Sequence, residues 1–471
     1  MTTPTRAGRL FDRAIVEGPI APAVWKLAWP TMLQNVIGGL QGIVDQVMVG
    51  RFVGYAGNAA IGVAFQVFLV VIVFVTSLFT GAGVLVARFA GANEREKVNR
   101  TVAQAFLAST VLCGGVLAPL GWVLSPRLLR LVNATAEVRA EALPYLRIMF
   151  VFSFGMLLFF LLGVALRSAG DARTPLRLGV ILTVLNAVLN VIFIRGLGPI
   201  PAFGTAGAAM GTVIAGAVVS GIGVRLLFSG HLVVSWRGGP GWRPDWGIIR
   251  ALFRFGLPTG VQGVAMNVGG VLLLRFIGSL PYSAQAQAAY AVGYGELFSL
   301  VTWTSVGLLG AAAAFAGQNL GAGRPDRSVR GVEVAAGIGL GVALLVGALF
   351  LGAPGLLLGL FGMRDPIVVG IGTQLLGFLS LSGFFVTVAL THTGGLQGTG
   401  DTRSPLYISL VSQLAVPLGL CTLLDATRGL TPGGIWLAIL AGHVTRCVLS
   451  VLVFRQGRWR AIQVDIEPAP P

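Results

Sequence analysis

Leu166-Arg-Ser-Ala-Gly-Asp-Ala-Arg-Thr-Pro-Leu176 returns 230 residues later as Leu396-Gln-Gly-Thr-Gly-Asp-Thr-Arg-Ser-Pro-Leu406. In both copies a glycine suits a helix end and a proline suits the next helix's first turn, so the element reads as a helix–helix junction. Asp171 and Asp401 are placed to cap the helices that follow, with Arg173 and Arg403 as partners or topology markers. The repetition extends outward. Pro30-Thr31 with Gln34 and Gly50 recurs as Pro258-Thr259 with Gln262 and Gly278, and Gly91-Ala92 has a counterpart in Gly321-Ala322. Three ordered matches at nearly one offset make this a doubled chain.

Composition says what is doubled. The 471 residues are 55% hydrophobic and 11% charged, with a mean hydropathy of +0.85. Soluble domains are about a quarter charged, so a soluble enzyme is excluded. Apolar runs long enough to cross about 30 Å of hydrocarbon begin near Leu27, Ala60, Val102, Leu146, Leu176, Thr205, Ile249, Ala288, Gly331, Ile367, Leu406 and Gly434. Twelve spans place both termini on one side. They divide as six and six, so the halves enter the bilayer from the same face, as parallel repeats related by a pseudo-two-fold along the membrane normal. The expected organisation is therefore all-α and polytopic. Residues 1–230 form a first lobe, 231–248 a linker (Trp236-Arg-Gly-Gly-Pro-Gly-Trp-Arg-Pro within it), and 249–471 a second lobe.

The net charge of +16 is explained by topology rather than by nucleic acid. Segments on the N-terminal side hold about 23 cations, from Arg6, Arg9, Arg13 and Lys26 to Arg455, Arg458 and Arg460. Opposite segments hold about nine, Arg51, Arg127, Arg130, Arg139, Arg147, Arg195, Arg275, Arg364 and Arg428. The positive-inside rule then puts both termini in the cytoplasm, with the protein in the cell (inner) membrane. The basic N-terminus has no apolar core with a cleavage site, so no removable signal peptide is expected. Cys113, Cys421 and Cys447 lie in apolar runs and read as small core residues. His231, His392 and His443 are scattered, with no zinc motif or nucleophile–base pair, so no enzyme and no cofactor are expected.

Asp45 stands out as the only acid between Glu17 and Glu94, inside the first span. Intramembrane acids are expensive and mark ion pathways. Superposing the repeats gives it company. Asp45 faces Leu273, Asn186 faces Val416, Asn190 faces Leu420 and Thr212 faces Ile439, so each polar residue of the first half is aliphatic in the second. At 1.5 Å per residue, Asp45 lies roughly 7 Å, Asn190 roughly 9 Å and Thr212 roughly 10 Å below the outer face. Asn186 shares Asn190's helix face. Gln34, Gly38, Gln41 and Asp45 stack along one side of the first helix, as a packing seam of small residues or a hydrated cavity wall. A carboxylate, amide oxygens and a hydroxyl suit Na⁺ as hard oxygen ligands, or surround an acid that carries H⁺ instead because burial disfavours its charge. The plain alternative is that Asn186, Asn190 and Thr212 only hydrogen-bond between helices. Glu296 is the acid well inside a second-half span, as a second coupling site or a partner of Arg275.

These features resemble the multidrug and toxic compound extrusion (MATE) family over nearly the whole chain. The resemblance rests on Pro30 through Val44-Asp45 to Val49-Gly50-Arg51, Phe89-Ala-Gly-Ala, the paired junctions, and Leu185-Asn186 through Asn190. Gly204-Thr-Ala-Gly-Ala-Ala-Met-Gly-Thr212 and Gly317-Gln-Asn-Leu-Gly-Ala-Gly323 add to it. It implies two six-helix lobes around a central cleft, alternating access, and export of amphipathic or cationic small molecules against Na⁺ or H⁺, by a chain that can act as a monomer. Many relatives place a second acid at the position of Asn190. Other branches carry acids in the seventh and tenth spans, where this chain has Met266-Asn267 and neutral residues around Val386. Phe152, Phe154, Met266 and Trp303 are candidates for the wall of a drug cleft. The alternative function is a lipid or lipid-linked oligosaccharide flippase of the same superfamily. The lack of an arginine deep in a first-half span speaks against that.

Overall fold

The computed structural model describes residues 11–464 apart from 133, 238, 240 and 241. Arg6 and Arg9 of the topology tally, and the linker's Gly238, Pro240 and Gly241, therefore lie outside the described residues. The described residues are mostly helical and form no strand. The long helices are α1 (Ile20–Phe52), α2 (Tyr55–Gly91), α3 (Arg95–Leu131), α4 (Ala136–Phe152 and Phe154–Ser168, bent by 52°), α5 (Arg173–Arg195) and α6 (Gly204–Ser229). Then come α7 (Trp246–Gly278), α8 (Ser283–Gly321), α9 (Pro325–Gly352), α10 (Pro366–Thr399), α11 (Arg403–Arg428) and α12 (Pro432–Gln456).

Among the described residues ten helices are long and apolar enough to cross a membrane, and the bent α4 pair makes eleven. The expected first span, α1, is 33 residues long but is not among them. It carries Gln34, Asn35, Gln41 and Asp45, which lower its hydropathy while leaving its length sufficient.

Both junctions form as their sequence requires. Asp171 accepts from the backbone N–H of Thr174 (3.0 Å) and from its hydroxyl (2.6 Å), and Asp401 does the same for Ser404 at 3.0 and 2.6 Å. Gly170 and Gly400 adopt positive φ (101° and 105°), which only glycine does without strain. Arg173 and Arg403 form no ion pair among the described residues.

The chain divides into two compact units. One is built mainly of Ile37–Gly260, the other of Ala14–Val36 and Val261–Gln463. The lobe boundaries expected from sequence fall at the linker, whereas this division falls inside α1 and α7. In the first unit, Val49, Phe68, Leu146, Met149, Phe150 and Val213 anchor the core. The linker is packed onto this unit. Trp236 is 2% exposed and meets Phe106, Phe228 and Trp242 edge-on at 5.3–5.5 Å. Asp245, also buried, pairs with Arg100 (2.7 Å) and accepts from the N–H groups of Gly247 and Ile248, capping α7.

The second unit's core includes Leu273, Phe298, Leu376, Trp436 and Ile439. Two of these, Leu273 and Ile439, are the repeat counterparts of Asp45 and Thr212, and Leu420, the counterpart of Asn190, packs against the same cluster. The position that is polar in the first unit is thus filled by hydrocarbon in the second. Within this unit the short helix Ala14–Glu17 is tied down by its backbone. Asn319 and Arg327 both donate to the carbonyl of Ile15, and Arg327 also donates to that of Gly18.

Candidate functional site

The polar residues of the first unit meet through a pair of helices held unusually close. Gly207 and Gly211 of α6 face α5. A Cβ at Gly207 would lie 2.3 Å from the carbonyl oxygen of Phe193, and one at Gly211 would lie 2.1 Å from Asn190 Oδ1. A side chain at Gly207 would displace the α5 backbone, and one at Gly211 would displace the Asn190 amide. Thr183, Asn186 and Asn190 occupy one face of α5 by their i, i+3, i+7 spacing.

The hydrogen bonds then run in one direction. Asn190 Nδ2 donates to Asp45 Oδ1 at 2.7 Å and to Asn186 Oδ1 at 3.3 Å. Asn186 Nδ2 donates to Thr212 Oγ1 at 3.1 Å, and that hydroxyl donates to the carbonyl of Ala208 at 3.0 Å. Both amide hydrogens of Asn190 are used, and its Oδ1 is a buried acceptor with no hydrogen-bond partner. Asn190 and Asn186 are 0% and 1% exposed, whereas Asp45 is half-buried. A free amide oxygen beside a carboxylate, in a low-dielectric segment, concentrates negative potential that a cation relieves. Three oxygen types are present at the cluster, carboxylate, amide and hydroxyl, which is the donor chemistry of a hard monovalent cation. Among the described residues no three His, Cys, Asp or Glu side chains cluster as a metal site.

The structure thus joins Asp45, Asn186, Asn190 and Thr212 into one network. Gln41 lies one turn before Asp45 on α1 and accepts from the Thr183 hydroxyl at 2.9 Å, a second α1–α5 bond. Gln34 belongs to the other unit, where its Oε1 is buried without a partner. Glu296, also of the second unit, is half-buried and forms no ion pair with Arg275. Phe152 is 60% exposed, and Phe154 is taken up edge-on against Phe106 at 6.0 Å, inside the cluster that seats the linker. Met266 and Trp303 are half-buried in the second unit.

Two participants were not visible in the sequence. Tyr145 of α4 is buried and is a titratable neighbour of Asp45. Thr183 pairs with Gln41. Neither residue type is unusual in an apolar helix, and only the meeting of α1, α4 and α5 distinguishes them.

A duplicated all-helical membrane protein, with an acid–amide network confined to one of two units, is the class that fold and site define. The chain belongs to the MatE family, whose profile matches residues 30–192 and again 258–421, one match in each half. Among curated relatives it is 30% identical over 434 residues to "Probable multidrug resistance protein NorM" of Deinococcus radiodurans, covering 89% of this chain and 92% of that one. It is 27% identical over 435 residues to the Thermotoga maritima protein of the same description, with 92% of each chain covered. A solved structure described as an outward-facing conformation of a multidrug resistance MATE family transporter aligns with a TM-score of 0.86 at 22% identity, covering 94% of this chain and 97% of that one.

Proposed function

We propose that the chain is a secondary active multidrug efflux transporter that exchanges amphipathic or cationic small molecules for H⁺ or Na⁺ by alternating access. It would act in the cell (inner) membrane with both termini cytoplasmic. Membership of the MatE family supports the transport class, and the relatives' descriptions as multidrug resistance proteins support the substrate class. The observation that carries the coupling site is the 2.7 Å bond from Asn190 to Asp45, together with the unpartnered Asn190 Oδ1 beside it.

In this reading Asp45 is the ionisable coupling residue of its unit. Asn190 orients the carboxylate, and Asn186 and Thr212 hold Asn190 in turn. Binding of H⁺ or Na⁺ at Asp45 shifts the conformational equilibrium by its difference in affinity between the two states, and substrate shifts it the other way. With one carboxylate in the network, one monovalent charge is handled there per cycle.

The test is Asp45→Asn, which keeps the size of the side chain and removes its charge. Coupled efflux should be lost while membrane insertion is retained. Full drug resistance in cells expressing this variant would overturn the proposal. Efflux of a fluorescent cation from proteoliposomes under separately imposed Na⁺ and pH gradients identifies the ion.

A further inference from the structure

The two-sided distribution of Lys and Arg accounts for every cation in the chain but Arg446. It lies in α12, roughly 15 Å from the helix's C-terminal end at 1.5 Å per residue, and is 5% exposed. Its Nε has no partner, and Arg446 makes no hydrogen bond or ion pair with any described residue. Its titratable neighbours are Tyr294 and His443, and no carboxylate is among them.

Other polar groups around it are equally unprovided for. His443, one turn earlier and 3% exposed, has an unpartnered Nδ1, and Ser450, one turn later and fully buried, has an unpartnered Oγ. Ser412 contributes a second unpartnered hydroxyl from a π-helical turn of α11, Leu410–Ala415. That turn approaches α12 so closely that a Cβ on Gly442 would lie 2.5 Å from the carbonyl oxygen of Ser412. A second π-helical turn, Ala291–Leu297 of α8, presents Tyr294 to the His443 ring at 6.3 Å and 15°. Phe298 lies on the same ring at 6.0 Å and 21°. Such turns are rare and concentrate at functional sites.

The repeat comparison reverses here. At the offset that pairs Thr212 with Ile439, the first-half counterparts of His443, Arg446 and Ser450 are Gly216, Val219 and Gly223. Among the described residues the acid network lies in the first unit and the buried Arg446 in the second, whereas the first unit's Arg167 keeps partial exposure near the end of α4. Serines and a histidine are satisfied by water. A guanidinium without counter-charge, inside a membrane segment, is stabilised far more by an anion than by water.

We propose that the second unit contains an anion site at Arg446 that takes a carboxylate, free or as the head of a larger amphipathic molecule. The guanidinium fork matches a carboxylate bidentately, and His443, Ser412 and Ser450 supply further polar contacts. The aromatic walls favour a monovalent anion over sulfate or phosphate, whose second charge is costlier to desolvate. The site stands apart from the efflux reading, because its test measures binding without transport.

The experiment is equilibrium binding of radiolabelled benzoate to the full-length protein in lipid nanodiscs, in carboxylate-free buffer. Benzamide serves as the uncharged competitor, and acetate and laurate as the small and lipid-like carboxylates. Saturable binding of about one benzoate per chain is expected, with benzamide at least about tenfold weaker, the loss of a charge-assisted bond. Arg446→Met should weaken benzoate at least about tenfold, and Arg446→Lys should weaken it less, because a point charge replaces a fork. Benzoate should raise the melting temperature of the native protein but not that of Arg446→Met, which should melt no lower than the native protein in benzoate-free buffer. Displacement by acetate and laurate alike identifies a site for the headgroup, and displacement by laurate alone identifies a lipid-like ligand. Benzoate binding that does not saturate, that benzamide displaces equally, or that Arg446→Met leaves intact overturns the proposal. If Arg446→Met does not fold, unchanged affinity in Arg446→Lys overturns it.

Discussion

Gly211→Ala tests the geometry of the candidate coupling site without replacing any of its polar groups. The new methyl carbon would lie 2.1 Å from Asn190 Oδ1. Unstrained contact needs about 3.4 Å, so the amide must withdraw by roughly 1.3 Å. A bond of 2.7 Å to Asp45 cannot survive that displacement, because N–H···O bonds fail beyond about 3.2 Å. The bond to Asn186, already 3.3 Å, goes with it. A hydrogen bond to a charged group contributes about 1.5–3 kcal/mol, so the ion dependence of efflux should shift roughly ten- to hundredfold. Overpacking removes about 1–3 kcal/mol of stability in addition.

Gly221→Ala, on the same helix with nothing near its added carbon, is the control. It should be neutral or stabilising by up to about 1 kcal/mol. The assay is ion-driven efflux in proteoliposomes at varied ion concentration, with thermal melting of the same samples. A double variant sharpens it. Asn190→Ala leaves space for the methyl, so Gly211→Ala should add almost nothing on top of it, a non-additivity that marks direct contact. Native ion dependence in Gly211→Ala, or full additivity in the double variant, would refute the reasoning.

Three further outcomes are expected. Thr183→Val removes the donor to Gln41 while keeping shape, and should lower stability by about 0.5–1.5 kcal/mol, read from melting; an unchanged melting temperature would remove the α1–α5 bond from the account. Asp171→Ala and Asp401→Ala each lose a helix cap and should cost about 1 kcal/mol with efflux per folded molecule unchanged; a loss of transport at full stability would make the junctions functional. Arg100→Ala strands the buried Asp245, and should loosen the linker, seen as faster proteolysis after Arg237 or Arg243; native resistance would show that the aromatic cluster around Trp236 suffices.

Much of this was legible in the chain. The Gly-Asp-x-Arg junctions announced both the duplication and their own capping, because turn chemistry acts between residues three apart. The one-sided polar set Asp45, Asn186, Asn190 and Thr212 came from comparing halves, and the network joins all four. Other expectations depended on which helices meet. Phe154 suggested a drug cleft but packs on Phe106, and Glu296 suggested a pair with Arg275 that does not form. The linker is the irregular segment its composition suggested, and what composition did not show is that Trp236 and Asp245 bury it on the first unit.

By itself, the sequence determined that this is a doubled, all-helical membrane protein whose ionisable chemistry is asymmetric between its halves. Hydropathy, repeat offset and capping are properties of neighbouring residues, so folding cannot rearrange them. Only the tertiary structure decided that α1 and α7 divide between compact units and that Tyr145 of α4 comes within electrostatic reach of Asp45. It also decided that Asn190 spends both hydrogens and keeps a free oxygen, and that Arg446 is buried without a counter-charge. Those facts depend on how closely two helices approach, which glycines such as Gly211 and Gly442 permit and which no residue's own type records.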